Sequence, residues 1–210
     1  LSAAKLAAFS TAGIAALSSA AVAALSTAQL AALSTRQLAA LESADFAALS
    51  SAQITSLATA QLAAITSAQA AAFETADLAA LRTDQIRALN TAAVDALSSA
   101  QIEALSPTQV AAMSTAQLAR LDSITPTQLA ALTTAQVASL GQAYGATLTT
   151  ADVAAMSTAQ LQLLSTGAIS GLDSADIAAL SSAEVDAMST GQLRAISTAA
   201  LAGLDSADLA

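Results

Sequence analysis

The chain lacks the residues on which most catalytic and metal-binding chemistry depends. It has no Cys, His or Trp among its 210 residues. Disulfides, thiol nucleophiles and the usual zinc ligands are therefore excluded, and the commonest general base is absent. The many Ser residues have no base beside them in the sequence, and no Gly-rich phosphate-binding loop is present. We therefore predict a protein that is not an enzyme, with no cofactor and no catalytic, cofactor-binding or metal-binding residue.

Basic residues and long apolar runs are also scarce. Six basic residues against 15 acidic ones give a net charge of -9, which argues against a nucleic-acid partner. Mean hydropathy is high at +0.63, but a polar residue interrupts every repeat, so no run of about 18 apolar residues exists and we predict no membrane insertion. Because the chain begins at Leu1 without Met and stops in mid-repeat at Ala210, we expect a piece of a longer protein or a mature product.

One octapeptide is repeated along nearly the whole chain, as in residues 25–32 (LSTAQLAA) and 33–40 (LSTRQLAA). We number its positions place one to place eight from the first large apolar residue; place six is apolar as well. Fifteen octads fill residues 1–120, and ten octads plus a partial one fill residues 124–210. Residues 121–123 break the register, as a three-residue insertion or a five-residue deletion. This fixed-period similarity predicts a single repeat array over residues 1–210.

Each octad carries the sequence pattern of a helix start. Place two is usually Ser, Thr, Asp or Asn and place five is usually Gln, Asp or Glu, which is the spacing of a capping box. The apolar residues at places one and six then form a hydrophobic staple. Pro107 and Pro126 both fall at place three, the first helical position, where a missing N–H is tolerated. We predict one capped helix of roughly six residues per octad.

These helices must form an all-α solenoid. In one continuous helix the apolar stripe would drift by about 80° per octad, because eight residues turn through about 800°. In a β-solenoid, places one and six would point to opposite faces, and Ala is a poor strand former. Isolated helices shorter than about 12–15 residues are marginal in water, so neighbouring octads must share a core.

A longer period of 32 residues is also visible. Residues 171–176 (GLDSAD) recur as residues 203–208, four octads later. Duplication of four-octad units would explain this, but we predict that it reflects four octads per superhelical turn. The register break would then be a bulge at one corner, and the octad containing Gly141–Gly145 a looser corner. The alternative geometry is a stack of 16-residue helical hairpins, although nothing distinguishes odd from even octads.

Several acidic residues could be imagined as calcium ligands. Calcium requires six to eight oxygens gathered by a loop, and neither the EF-hand pattern nor a Gly-rich calcium-binding repeat is present. We therefore interpret them as helix caps, and Tyr144, the only Tyr, as a local packing residue. The acidic residues concerned are Glu42 with Asp45, Glu74 with Asp77, Asp173 with Asp176, Asp205 with Asp208, and Asp152.

Two surfaces suggest alternative functions. Place seven accepts charged residues and is predicted to face water, so it could serve a protein-binding solenoid scaffold. A regular Ser/Thr column at place three could match ordered water, which would make an ice-binding surface. The charged residues at place seven are Arg87, Asp95, Glu103, Asp186 and Arg194.

The LSTAQLAA motif resembles the tandem repeats of very large, low-complexity bacterial exported proteins of the adhesin or extracellular-matrix type. The resemblance covers the chain except residues 121–123 and the octad containing Gly141–Gly145. It implies a structural role, as a rod, spacer or filament segment, and an extracellular or cell-surface location. Its expected partners are neighbouring repeats or copies of itself, and it implies no site residues.

Overall fold

The computed structural model describes residues 1–121, 123–206 and 208, and this part of the chain is helical without strands. The predicted solenoid of short helices is confirmed. Octads are numbered in chain order, so that octad n holds helix αn. Asp122, Ala207, Leu209 and Ala210, which belong to the register break and the partial octad, lie outside the described residues.

The helices are four to six residues long and most match the predicted octads. They are α1 (Ala3–Ala7), α2 (Thr11–Ala15), α3 (Ser19–Ala23), α4 (Thr27–Ala31), α5 (Thr35–Ala39), α6 (Ser43–Ala47), α7 (Ser51–Thr55), α8 (Thr59–Leu62), α9 (Ser67–Ala71), α10 (Thr75–Ala80), α11 (Thr83–Ala88), α12 (Thr91–Asp95), α13 (Ser99–Glu103), α14 (Pro107–Ala111), α15 (Thr115–Leu118), α16 (Pro126–Ala130), α17 (Thr134–Val137), α18 (Gln142–Gly145), α19 (Thr150–Ala155), α20 (Thr158–Leu161), α21 (Thr166–Ile169), α22 (Ser174–Ala178), α23 (Ser182–Asp186), α24 (Thr190–Ala195) and a 3-10 helix (Ala200–Gly203).

The chain divides into two compact units, Leu1–Leu105 and Ser106–Ala210. Each unit has the same construction, with an apolar core made by the side chains at places one and six. In the first unit Leu57 and Leu62 are buried, and in the second unit Leu164 and Ile169 are buried. Burial of a Leu or Ile side chain contributes about 1.5–3 kcal/mol, a stabilisation that a lone short helix in water does not obtain.

Most helices start in the way that the capping pattern predicts. Ser34 is extended, with φ -65° and ψ 160°. Its Oγ accepts the N–H of Gln37 at 3.3 Å, and the Oε1 of Gln37 accepts the N–H of Ser34 at 2.8 Å. Pro107 and Pro126 occupy the first turn of α14 and α16. No described residue has a positive φ, so the corners between helices do not require glycine and can be built from Ala and Leu.

The stacking interval differs from the predicted four octads. Away from the register break, a helix packs against the helix three octads away within its unit, as α2 does with α5, α7 with α10, and α16 with α19. The hairpin alternative, which would pair successive helices, does not describe these stacks either. The 32-residue similarity in the sequence is therefore not the stacking period.

Side-chain hydrogen bonds explain the shorter interval. Gln53 Nε2 donates to the carbonyl of Ala23, 30 residues earlier, and to that of Leu25, 28 residues earlier. These two carbonyls flank the corner before α4, on which α7 packs. If helices stacked at intervals of 32 residues, the Gln53 amide would lie beyond these two carbonyls.

The same bonds decide between insertion and deletion at residues 121–123. Gln136 Nε2 donates to the carbonyls of Ala111 and Met113, which are 25 and 23 residues earlier instead of 30 and 28. The register is therefore shortened by five residues, which identifies a five-residue deletion. Across the break α14 packs against α16 and α15 against α17, two helices apart instead of three. The turn at the break therefore has one helix fewer, and the predicted corner bulge falls on residues that include Asp122, outside the described part of the chain.

Candidate functional site

The most regular chemical feature is a column of buried polar side chains at place five, which we call the polar ladder. Gln85 is fully buried, and its Nε2 donates to the carbonyls of Thr55 and Leu57 at 2.9 Å each. Its Oε1 accepts the N–H of Arg82 at 3.0 Å. One amide therefore caps its own helix and serves two carbonyls of the neighbouring turn. Amides that serve two or more carbonyls in this way include those of Gln37, Gln53, Gln61, Gln69, Gln85, Gln101, Gln136 and Gln192.

Two ladder positions in the first unit carry Asp instead of Gln, and there the direction of the bond is reversed. Asp45 Oδ1 accepts the hydroxyl of Ser19 at 2.7 Å, and Asp77 Oδ1 accepts that of Ser51 at 2.7 Å. A carboxylate has no donor for a carbonyl. Ser at place three of the octad three earlier supplies a donor for the carboxylate instead.

Octad 12 lacks a polar residue at place five and moves the ladder to place two. Ala93 is fully buried, and Asn90 stands at the helix cap. Asn90 Nδ2 donates to the carbonyls of Ala63 and Ile65 at 3.1 and 2.9 Å, and its Oδ1 accepts the N–H of Ala93 at 2.9 Å. One Asn therefore makes both the cap hydrogen bond and the hydrogen bonds to the neighbouring turn, which Ser and Gln make together in a regular octad.

Octad 18 abandons the ladder altogether. Place five is Tyr144, which is buried, and place six is Gly145. Helix α18 packs against α21, and a Cβ built on Gly145 would collide with the carbonyl of Ala168. The expectation of a looser corner is therefore wrong, because the missing side chains allow a close backbone approach. The N-cap residue of α21, Ser165, donates its hydroxyl to the carbonyl of Leu140 at 2.6 Å. This hydroxyl takes the place of a ladder amide.

The packing role expected for Tyr144 is what the structure shows, but it leaves a polar atom without a partner. Tyr144 is 2% exposed. In the described part of the chain, its hydroxyl oxygen is the one buried side-chain nitrogen or oxygen atom without a hydrogen-bond partner. Burial raises the pKa of Tyr144 far above its ordinary value, and the charge of Asp152 raises it further. The hydroxyl therefore stays protonated.

The acidic residues considered as calcium ligands act as caps in most places. Asp77 Oδ2 accepts the N–H of Glu74 at 3.1 Å, Asp152 Oδ2 that of Thr149 at 2.8 Å, and Asp208 Oδ2 that of Asp205 at 3.0 Å. Among the described residues, no group of three or more His, Cys, Asp or Glu side chains could hold a metal ion. Most of these carboxylates therefore cap the turn that carries them, whereas Asp45 accepts the hydroxyl of Ser19 and Asp77 also accepts that of Ser51.

One surface groove lies beside an acidic ladder position in the first unit. It runs over the corner between octads 3 and 4, the corner between octads 6 and 7, and the start of octad 10. Its walls include Leu25, Leu49, Glu74 and Asp77. Its other lining residues are Ala, Ser and Thr, together with Gln53. Within the groove the hydroxyl of Ser51 donates to Oδ1 of Asp77 at 2.7 Å.

The two surfaces singled out in the sequence are exposed. Place seven faces solvent at Arg87, Asp95 and Glu103, and at Asp186 and Arg194 in the second unit. At place three, Thr11, Thr59 and Thr83 are exposed and Thr35 is half-buried. Sequence reasoning missed the polar ladder, because the capping box accounted for Gln at place five through its Oε1 alone. The preference for Gln over Glu at place five could have indicated the polar ladder, since only an amide can donate a hydrogen bond as well as accept one.

No helix in the described part of the chain is long and apolar enough to cross a membrane. A search of curated proteins gives no significant match. The model of the ALTTAQ repeat matches residues 1–35, 38–75, 70–107 and 145–182. The six letters of that description also stand at Ala131–Gln136, outside the matched segments. Because the matches cover more than half of the chain, the protein belongs to the ALTTAQ repeat family.

Proposed function

We propose that the chain is a structural segment, a rod, spacer or filament element of a large bacterial surface or extracellular protein. Its partners are then neighbouring repeats or other copies of itself. Its function is mechanical, since repetition gives length and local contacts hold that length together.

The observation that carries this proposal is the polar ladder. Its amides are directed at backbone carbonyls of the neighbouring turn, as with Gln61, whose Nε2 lies 2.9 and 2.8 Å from the carbonyl oxygens of Leu30 and Leu33. The largest set of buried polar side chains therefore serves cohesion between turns. A binding or catalytic protein would instead direct part of such a set toward a ligand.

The location is tested on intact cells of the source. An antibody against the chain, viewed by electron microscopy, is expected to label surface fibres or a surface coat. Permeabilised cells provide the control for antibody access. Label that appears only after permeabilisation would contradict the surface location.

The protein-binding scaffold is less favoured because of where the charged residues at place seven fall. Arg87, Asp95 and Glu103 occupy octads 11, 12 and 13. Since helices stack at intervals of three octads, three successive octads belong to three different stacks. These side chains therefore do not share one recognition face.

Ice binding is the second candidate, and one stack favours it. Helices α2, α5, α8 and α11 pack in order, and all four carry Thr at place three. The test is ice-recrystallisation inhibition by the purified chain. Thr59→Lys in this stack should abolish inhibition, whereas Thr75→Lys in another stack should not. Absence of inhibition by the unmodified chain would eliminate the idea.

A further inference from the structure

Octad 22 places two carboxylates in one capping box. Asp176, at place five, is 4% exposed, and its Oδ2 accepts the N–H of Asp173 at 3.1 Å. Asp173, at place two, accepts the N–H groups of Ala175 and Asp176 at 2.8 and 3.0 Å through its Oδ1. Asp173 is exposed and Asp176 is buried, so this pair places two negative charges at one corner, one of them shielded from solvent.

The elements packed against this corner add another acid and no base. Helix α22 packs against α19 and the 3-10 helix. Helix α19 contributes Asp152, which is 6% exposed, and the 3-10 helix contains no titratable residue. The ion pair between Arg82 and Asp84 lies in the first unit. Within the described part of the chain, no basic side chain forms an ion pair with Asp173, Asp176 or Asp152.

The hydroxyl that supports the ladder acids of the first unit is also missing here. Asp45 and Asp77 each accept a bond from a Ser three octads earlier. The corresponding residue for Asp176 is Thr150, which is exposed, and within the described ranges no hydroxyl donates to Asp176 from that turn. A bound proton would give this carboxyl the donor that every Gln of the ladder has.

We propose that the Asp173–Asp176 pair makes the second unit more stable at acidic pH than at neutral pH. As the pH falls, Asp176 takes up one proton from solvent. The repulsion of Asp176 by Asp173 and Asp152 decreases, and place five of octad 22 gains a donor toward the turn on which α22 stacks. The segment is then held more tightly in acid surroundings than at neutral pH.

The electrostatic environment supports this direction. Burial raises the pKa of Asp176 above its ordinary value of 3.8, the backbone bond from Asp173 opposes that rise, and the charges of Asp173 and Asp152 add to it. A group whose pKa is higher in the folded chain than in the unfolded chain binds its proton more tightly when folded. Its contribution to stability is fully present below pH 3.8 and is lost as the pH rises through the folded value.

The test is thermal unfolding of the full chain between pH 4 and 7, for wild type, Asp176→Asn and Asp186→Asn. Asp186 is an exposed acid of the same unit, so its variant controls for the change in net charge. We expect wild type and Asp186→Asn to lose about 2–4 °C more in Tm than Asp176→Asn as the pH rises. Equal pH dependence of all three proteins would overturn the proposal.

A second measurement does not depend on any variant. Carbon-13 NMR of the carboxyl groups in the wild-type chain should give a midpoint for the proton uptake of Asp176 above 3.8. A midpoint at or below that value would refute the proposed acid stabilisation, even if Asp176→Asn failed to fold.

Discussion

Octads 12 and 18 both lack the place-five amide, and they compensate in different ways. In octad 12 Asn90 at the cap donates to the carbonyls that Gln would serve, so the ladder continues. In octad 18 the space is filled by Tyr144, and Gly145 lets the backbone of α21 approach. The first solution preserves hydrogen bonds, and the second replaces them with packing and leaves a hydroxyl unpaired. The repeat thus requires closure of the corner between turns, and it does not require one particular residue.

The largest effect is expected where a regular octad is broken at its core. Leu89 and Leu97 are 4% and 6% exposed. Replacing both by Asp should unfold the first unit, because two unpaired carboxylates would be buried at a cost above about 4 kcal/mol. Circular dichroism and thermal unfolding provide the measurement. Ala31→Asp, at an exposed place seven, is the control, and retained helicity in the double variant would contradict the core assignment.

The close approach of octad 18 is tested by Gly145→Ala. The added methyl would collide with the carbonyl of Ala168, so we expect a loss of about 3 kcal/mol in the free energy of unfolding, measured with denaturant. Gly191→Ala is the matched control, since a Cβ there meets no atom closer than 3.8 Å. Helix propensity should make that variant neutral or more stable by up to about 1 kcal/mol. Equal effects would show that octad 18 is not tightly packed.

Octad 12 can be converted into a regular octad. Asn90→Ser keeps a cap but removes the donor to the carbonyls of Ala63 and Ile65, so we expect a loss of about 1–2 kcal/mol in denaturant unfolding. Adding Ala93→Gln should restore most of that loss, because the amide then comes from place five. If Ala93→Gln destabilised the Asn90→Ser variant further, the two solutions would not be interchangeable.

The smallest effect is expected at the unpaired hydroxyl. Tyr144→Phe keeps the ring and removes the buried O–H, so the free energy of unfolding should rise by about 1 kcal/mol. Denaturant unfolding measures it, with Gly191→Ala again as the comparison within the second unit. A loss of stability would show that the hydroxyl is satisfied by a partner, such as a buried water.

Much of the local structure could be predicted from the sequence. Helix starts at place two, Pro107 and Pro126 in the first turn, and burial at places one and six follow from capping and amphipathic spacing, which are local. The stacking interval of three octads could not be predicted. The sequence shows a similarity at 32 residues, but the stacking interval depends on which backbone carbonyls the side chains can reach. The roles of Asn90, Tyr144 and Gly145 were hidden for the same reason, since each is defined by a partner 23 or more residues away.

The sequence by itself determined that the protein is an array of short capped helices with two apolar contacts per octad, because those features depend on neighbours within eight residues. Only the tertiary structure decided that three octads separate stacked helices, and that the register break is a missing helix. The physical reason is the reach of the Gln side chain. Its amide closes the corner of the turn 28 to 31 residues earlier, a distance that no local pattern encodes.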